Sequence, residues 1–81
     1  MIRLLYFAAV RDLVGKSEEE LALPAGVATV GALAAHLTGV HPSLAGRLSA
    51  VRFARNEEFA RDEDPVADGD VIALIPPVAG G

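Results

Sequence analysis

The chain has 81 residues, seven basic and eleven acidic side chains, a formal charge of −4 and no cysteine. That length accommodates one small hydrophobic core and is too short for a second domain, and without thiols neither disulfides nor thiolate metal sites can form. The one close basic pair, Arg52 and Arg55, runs straight into Glu57 and Glu58, so the positive stripe that nucleic acid demands is missing.

No apolar run approaches the ~20 residues of a membrane span. The N-terminus "MIRLLYFAAV" lacks the charged region, long apolar region and cleavage site of a signal peptide. A cytoplasmic protein with a protein partner is expected.

"IRLLYF" (2–7) is rich in strand formers, with Ile2, Leu4 and Tyr6 on one face and Arg3, Leu5 and Phe7 on the other. "AAVRDLVG" (8–15) spaces Val10, Leu13 and Val14 as one or two helical turns, with Gly15 at the left-handed stop. "SEEELALP" (17–24) alternates Glu20 and Ala22 against Leu21 and Leu23 and ends at Pro24, which reads as a short acidic edge strand.

The main helix is expected to open at Thr29, an N-cap, and to carry Val30, Leu33, Leu37 and Val40 on its apolar face before Gly39 and Pro42 close it. A second helical piece is expected over "SLAGRLSA" (43–50), with Leu44 and Leu48 one turn apart. "AVRFAR" (50–55) and "EFA" (58–60) flank Asn56-Glu57 as a tight hairpin. A polar connection (61–70) with a turn at Asp68-Gly69 then leads into the apolar strand "VIALI" (71–75).

The first and last strands are the most apolar and belong in the centre of a mixed sheet. One main helix covers one face of it. If Ile2, Leu4, Tyr6, Ile72 and Leu74 face the helix, then Leu5, Phe7, Ala73 and Ile75 point the other way. That second face is either folded under the long loops or is a binding surface, since monomers seldom leave such a patch bare.

The body offers no active site. His36 and His41 stand five apart around a helix end, with no carboxylate placed to complete a ligand set, and read as surface or helix-end residues. Asp62, Glu63 and Asp64 lack the spacing of a calcium loop and read as a solvated turn. Ser17, Ser43 and Ser49 have no nucleophile-elbow context, and no glycine pattern opens a phosphate loop. No metal or cofactor is expected on this chain.

The remaining signal is "IPPVAGG". Pro76 and Pro77 lack N–H donors, end strand pairing and lead the chain away from the sheet. The arm Pro76, Pro77, Val78, Ala79, Gly80, Gly81 reaches about 20 Å at ~3.3 Å per residue, enough to enter another protein's pocket. Gly80 and Gly81 have no Cβ, so they can thread a narrow channel and leave the last carbonyl open to a nucleophile. Activation of the Gly81 carboxylate as an acyl adenylate, followed by attack of a sulfur donor, would create a thiocarboxylate nucleophile without a cysteine. The expected division is a domain over 1–75 and an extended tail over 76–81.

These segments together resemble the sulfur-carrying small subunit of the molybdopterin synthase family over the whole chain. "MIRLLYFAAVRDLVG" is similar to the family's opening, "ARNEEF" to its hairpin, and "ADGDVIALIPPVAGG" to its closing segment. The resemblance implies an α+β, ubiquitin-like β-grasp fold, a mixed sheet with one main helix packed on one face. It also implies that Gly81 is adenylated, at the expense of ATP, by a ubiquitin-activating-like adenylyltransferase and then thiocarboxylated. The arm would insert into the large subunit of a heterotetrameric synthase and donate sulfur to cyclic pyranopterin monophosphate. The catalytic side chains would belong to that large subunit, so this chain would not be an enzyme alone. Phe7, Phe59 and Ile75 match the family's interface positions, Ile75 standing where an aromatic residue is common.

Three alternatives remain open from the sequence. A sulfur carrier for thiamine or tRNA thiolation and a ubiquitin-like protein modifier share the activation step. A plain interaction domain would instead dock its tail as a carboxylate ligand, without activation.

Overall fold

The computed structural model describes residues 1–77; Val78, Ala79, Gly80 and Gly81 lie outside the described residues. Five strands, β1 (Ile2–Tyr6), β2 (Glu18–Leu21), β3 (Arg52–Arg55), β4 (Glu58–Ala60) and β5 (Val71–Ile75), form one sheet in the order β2-β1-β5-β3-β4. The two apolar strands β1 and β5 are central and parallel, pairing Arg3 with Val71 through Tyr6 with Leu74, and every other pairing is antiparallel. Parallel pairing of the first and last strands requires a crossover, and the helices α1 (Ala8–Val14) and α2 (Val30–Val40) lie within it.

Strand alternation decides what the sheet buries. Ile2, Leu4, Tyr6, Phe53, Ile72 and Leu74 project from one face into a core that Val30, Leu33 and Leu37 of α2 close, with Val10 and Leu44 at one end. Among the helix positions expected on the apolar face, Val40 is exposed; it is the last residue of α2, next to the C-cap His41.

The N-terminus of α2 is capped twice over. Thr29 Oγ1 accepts the Ala32 N–H at 3.2 Å, as its position as N-cap predicts. The carbonyls of Asp64 and Asp62 accept the Val30 and Gly31 N–H groups, each at 2.9 Å. The acidic turn at 62–64 is therefore docked on the helix through its backbone, where the sequence indicated only a solvated loop. A Cβ at Gly31 would lie 3.1 Å from Asp62 Cβ and 3.3 Å from its carbonyl oxygen, so glycine permits this close approach.

The helix expected over 43–50 is absent. Two 3-10 turns, Pro42–Leu44 and Leu48–Ala50, stand in its place. Gly46 between them has φ +76°, a left-handed residue that no right-handed helix passes through. The edge strand β2 stops at Leu21, short of the expected Leu23.

Candidate functional site

The second face of the sheet is uncovered. Leu5, Val71, Ala73 and Ala54 form the floor of a shallow apolar groove of about 250 Å³, and Phe7, Phe59, Ile75 and Glu57 surround it. Phe7 is 45% exposed and Phe59 62% exposed, so the connecting loops do not fold over this surface. The long 61–70 connection is engaged elsewhere, with its backbone bonded to α2 and to Ala28.

Three residues singled out from sequence meet in this groove. Phe7 follows β1 directly. Its N–H donates to the Leu74 carbonyl at 3.3 Å, and its own carbonyl accepts the N–H groups of Val10 at 3.0 Å and Arg11 at 3.4 Å. Ala8 has φ +49°, so the chain turns sharply into α1 and leaves the Phe7 ring at the groove's edge. Phe59 lies on the outer strand β4 opposite Ala54, and the Arg52 guanidinium sits 4.2 Å above its ring centre. Ile75 is the last residue of β5, paired with Arg52, and Pro76 and Pro77 leave strand pairing immediately after it. The remaining proposed tail residues, Val78 to Gly81, lie outside the described residues.

The hairpin and the entry to β5 are tied together by one carboxylate. Asp70 is buried and accepts hydrogen bonds from Arg55 Nε at 2.8 Å, Asn56 Nδ2 at 3.0 Å and the Ala67 N–H at 2.9 Å. The Arg55 hydrogen bond is the leading cause that holds its carboxyl below the usual range, against an opposing effect of burial. Asn56 returns the bond by accepting the Val71 N–H at 2.9 Å through Oδ1.

His41 is a helix-end residue, one of the two places expected for it, but its side chain is not at the surface. It stands at the C-cap of α2, largely buried, edge-on to the Tyr6 ring with centroids 5.9 Å apart, and its Nε2 bonds Glu19 at 2.5 Å. The buried Tyr6 hydroxyl donates to the same Glu19 oxygen at 2.5 Å. Desolvation, reinforced by the Glu19 carboxylate, pushes the Tyr6 phenol far above its ordinary pKa. Burial alone would raise Glu19, yet the hydrogen bonds from Tyr6 and His41 outweigh it and leave the carboxyl below its ordinary value. His36 is half-buried on α2, and Ser43 Oγ donates to the Leu13 carbonyl at 2.7 Å. Among the described residues no group of three or more His, Asp or Glu side chains is placed to hold a metal ion, and no helix is long and apolar enough to cross a membrane.

The mixed five-stranded sheet clasping one main helix is the ubiquitin-like β-grasp fold. The crystal structure of SAMP1 from Haloferax volcanii matches it with a TM-score of 0.85 and 32% identity, covering 99% of this chain and 98% of that one. The ThiS family model matches residues 4–81, and the chain belongs to that family. It is 40% identical over 86 residues to the molybdopterin synthase sulfur carrier subunit of Escherichia coli (strain K12), covering 100% of both chains. It is 39% identical over 82 residues to the protein of the same name from Chlamydomonas reinhardtii, covering 99% of this chain and 98% of its relative.

Proposed function

We propose that this chain is the sulfur carrier subunit of a molybdopterin synthase. The observation that carries the reading is its end-to-end likeness to proteins bearing that name, at about two residues in five. The geometry supports it, because an apolar groove with two exposed aromatic rings lies at the root of the segment "PPVAGG". A partner that docks on the groove would receive that segment at a fixed place.

In this reading a ubiquitin-activating-like adenylyltransferase joins the Gly81 carboxylate to AMP from ATP, releasing pyrophosphate. A sulfur donor then displaces AMP and leaves a thiocarboxylate. The arm Pro76 to Gly81 enters the large synthase subunit, whose side chains perform the catalysis, and the sulfur passes to cyclic pyranopterin monophosphate in the cytoplasm. This chain supplies the nucleophilic sulfur and the docking face, with Phe7, Phe59 and Ile75 as its apolar contacts, and binds no cofactor of its own.

Intact mass of the protein after incubation with the cognate adenylating enzyme, ATP and a sulfur donor tests the first half. The full chain gains the mass of one sulfur in place of one oxygen, and a variant lacking Gly81 gains nothing. Addition of the large subunit and the pterin precursor then returns the carrier to its starting mass.

The likeness to a protein named small archaeal modifier protein 1 supports a second reading less strongly, a ubiquitin-like protein modifier. It shares the activation step and differs in the acceptor. A modifier is recovered linked to other proteins through amide bonds, whereas a carrier is recovered with Gly81 free.

A further inference from the structure

We infer that the open sheet face is electrically polarised along its strands, and that Arg52 at one end and Glu57 at the other fix which way round the protein partner docks. The inference rests on the reading of this face as the docking surface. It adds the partner's chemistry, an apolar patch with a carboxylate over Arg52 and a cation over Glu57.

The floor of the groove cannot set a direction by itself. Leu5, Ala54 and Ala73 are apolar and non-directional, and burying them rewards any apolar surface of the right shape. Orientation has to come from charge, and the strand register places the charges. Arg52 pairs with Ile75, where β5 ends and Pro76 begins. Glu57, in the hairpin turn, lines the same groove beside Val71, where β5 starts. Four residue steps along β5, from Val71 to Ile75, separate the two ends, roughly 13 Å at ~3.3 Å per residue. That exceeds the screening length of about 8 Å at physiological ionic strength, so each charge acts on whatever docks against it and little on the other.

The other cations of the sheet are already engaged. Arg55 is held by Asp70 at 2.8 Å, and Arg3 is shared between Glu18 at 3.8 Å and Glu20 at 3.5 Å. Among the described residues no carboxylate pairs with Arg52 and no cation pairs with Glu57. The Arg52 guanidinium lies over the Phe59 ring, and a contact with a ring face does not consume its N–H groups, which remain available for a carboxylate. The same contact holds the Phe59 ring in place before a partner arrives. A partner turned end for end would bring like charges together at both ends of the groove.

Binding to the cognate large subunit tests this, measured by calorimetry at low and at high salt for the wild type, Arg52→Glu, Glu57→Lys and Phe7→Ala. Thermal unfolding of each variant verifies that it folds. The expected result is a loss of about tenfold or more for each charge reversal at low salt, shrinking at high salt. A carboxylate-to-lysine change on the partner's facing surface restores binding of Arg52→Glu. If Phe7→Ala weakens binding while both reversals stay within about twofold of the wild type, the polarity is overturned and the docking face stands. If Phe7→Ala binds as the wild type does, the docking face is wrong and the polarity falls with it.

Discussion

The buried hydroxyl of Tyr6 donates to Glu19 across the β1–β2 pair, and His41 reaches the same carboxylate oxygen from the end of α2. One edge-strand side chain thereby links the central strand, the edge of the sheet and the main helix. Tyr6→Phe keeps the ring and its contact with His41 but removes the donor. A hydrogen bond to a charged group contributes about 1.5 to 3 kcal/mol, and part of this remains because His41 and Lys16 still face Glu19. The expected effect is a destabilisation of about 1 to 2 kcal/mol, read by urea unfolding with an unchanged slope. A midpoint equal to that of the wild type would show that the phenol contributes nothing to stability.

Acid should unfold the protein through two identifiable carboxylates. Glu19 and Asp70 both titrate below their ordinary range in the folded state. The unfolded chain then takes up protons first as pH falls, near the ordinary values of about 4.3 for Glu and 3.9 for Asp. Their stabilisation is complete above those values, declines as pH drops from about 5, and is gone once pH has passed below the folded-state pKa of each. Thermal midpoints recorded from neutral to acidic pH should therefore be level and then fall. In Glu19→Gln and Asp70→Asn the midpoint starts lower and the acid slope is shallower. A slope unchanged in both variants would assign acid sensitivity to other groups.

The apolar character of β1 and β5 placed them in the centre of the sheet, and alternation and helical spacing chose the face that meets α2. These are properties of side-chain type and period, which sequence carries directly. Whether loops cover the opposite face stayed open until the exposure of Phe7 and Phe59 decided it. The Tyr6, Glu19 and His41 cluster is not legible in the sequence, because it depends on the β1–β2 register for residues 13 positions apart and on where the end of α2 docks for residues 22 positions apart. A partial signal existed: alternation puts Glu19 on the same face as Leu21, so a carboxylate pointed inward and needed a partner. The docking of the 62–64 turn on α2 leaves no trace in side-chain type, since backbone carbonyls make the bonds. The missing helix over 43–50 was foreshadowed by Gly46, whose left-handed conformation divides the segment.

The hairpin turn carries removable strain. Asn56 and Glu57 have φ of +50° and +72°, the left-handed pair of a two-residue type I′ connection. Asparagine tolerates that conformation, whereas glutamate has no local hydrogen bond to offset it. Glu57→Gly removes the Cβ clash, offset in part by the greater freedom of glycine in the unfolded chain. The expected gain is roughly 0.5 to 1 kcal/mol, seen as a rise of a few degrees in thermal midpoint for a domain of this size. A fall in the midpoint would show that the glutamate side chain makes a contribution larger than its backbone strain.

Stability and partner binding should separate cleanly between the two faces of the sheet. Leu74 is fully buried against α2, and Phe59, on the opposite face, is 62% exposed. Leu74→Ala removes core contacts and leaves a cavity, with a cost of about 2 to 5 kcal/mol. That is a large share of the total stability expected for a small domain, about 5 to 15 kcal/mol. Phe59→Ala removes little buried surface and is expected to change stability by less than about 1 kcal/mol, the loss of its contact with Arg52 included. It should nevertheless weaken association with the large subunit by tenfold or more, in the manner of an exposed aromatic anchor at about 2 kcal/mol. Paired measurements of thermal midpoint and affinity on both variants test the separation. If Phe59→Ala lowers stability as much as Leu74→Ala while leaving affinity unchanged, the ring is a structural element of the hairpin and the open face docks its partner elsewhere.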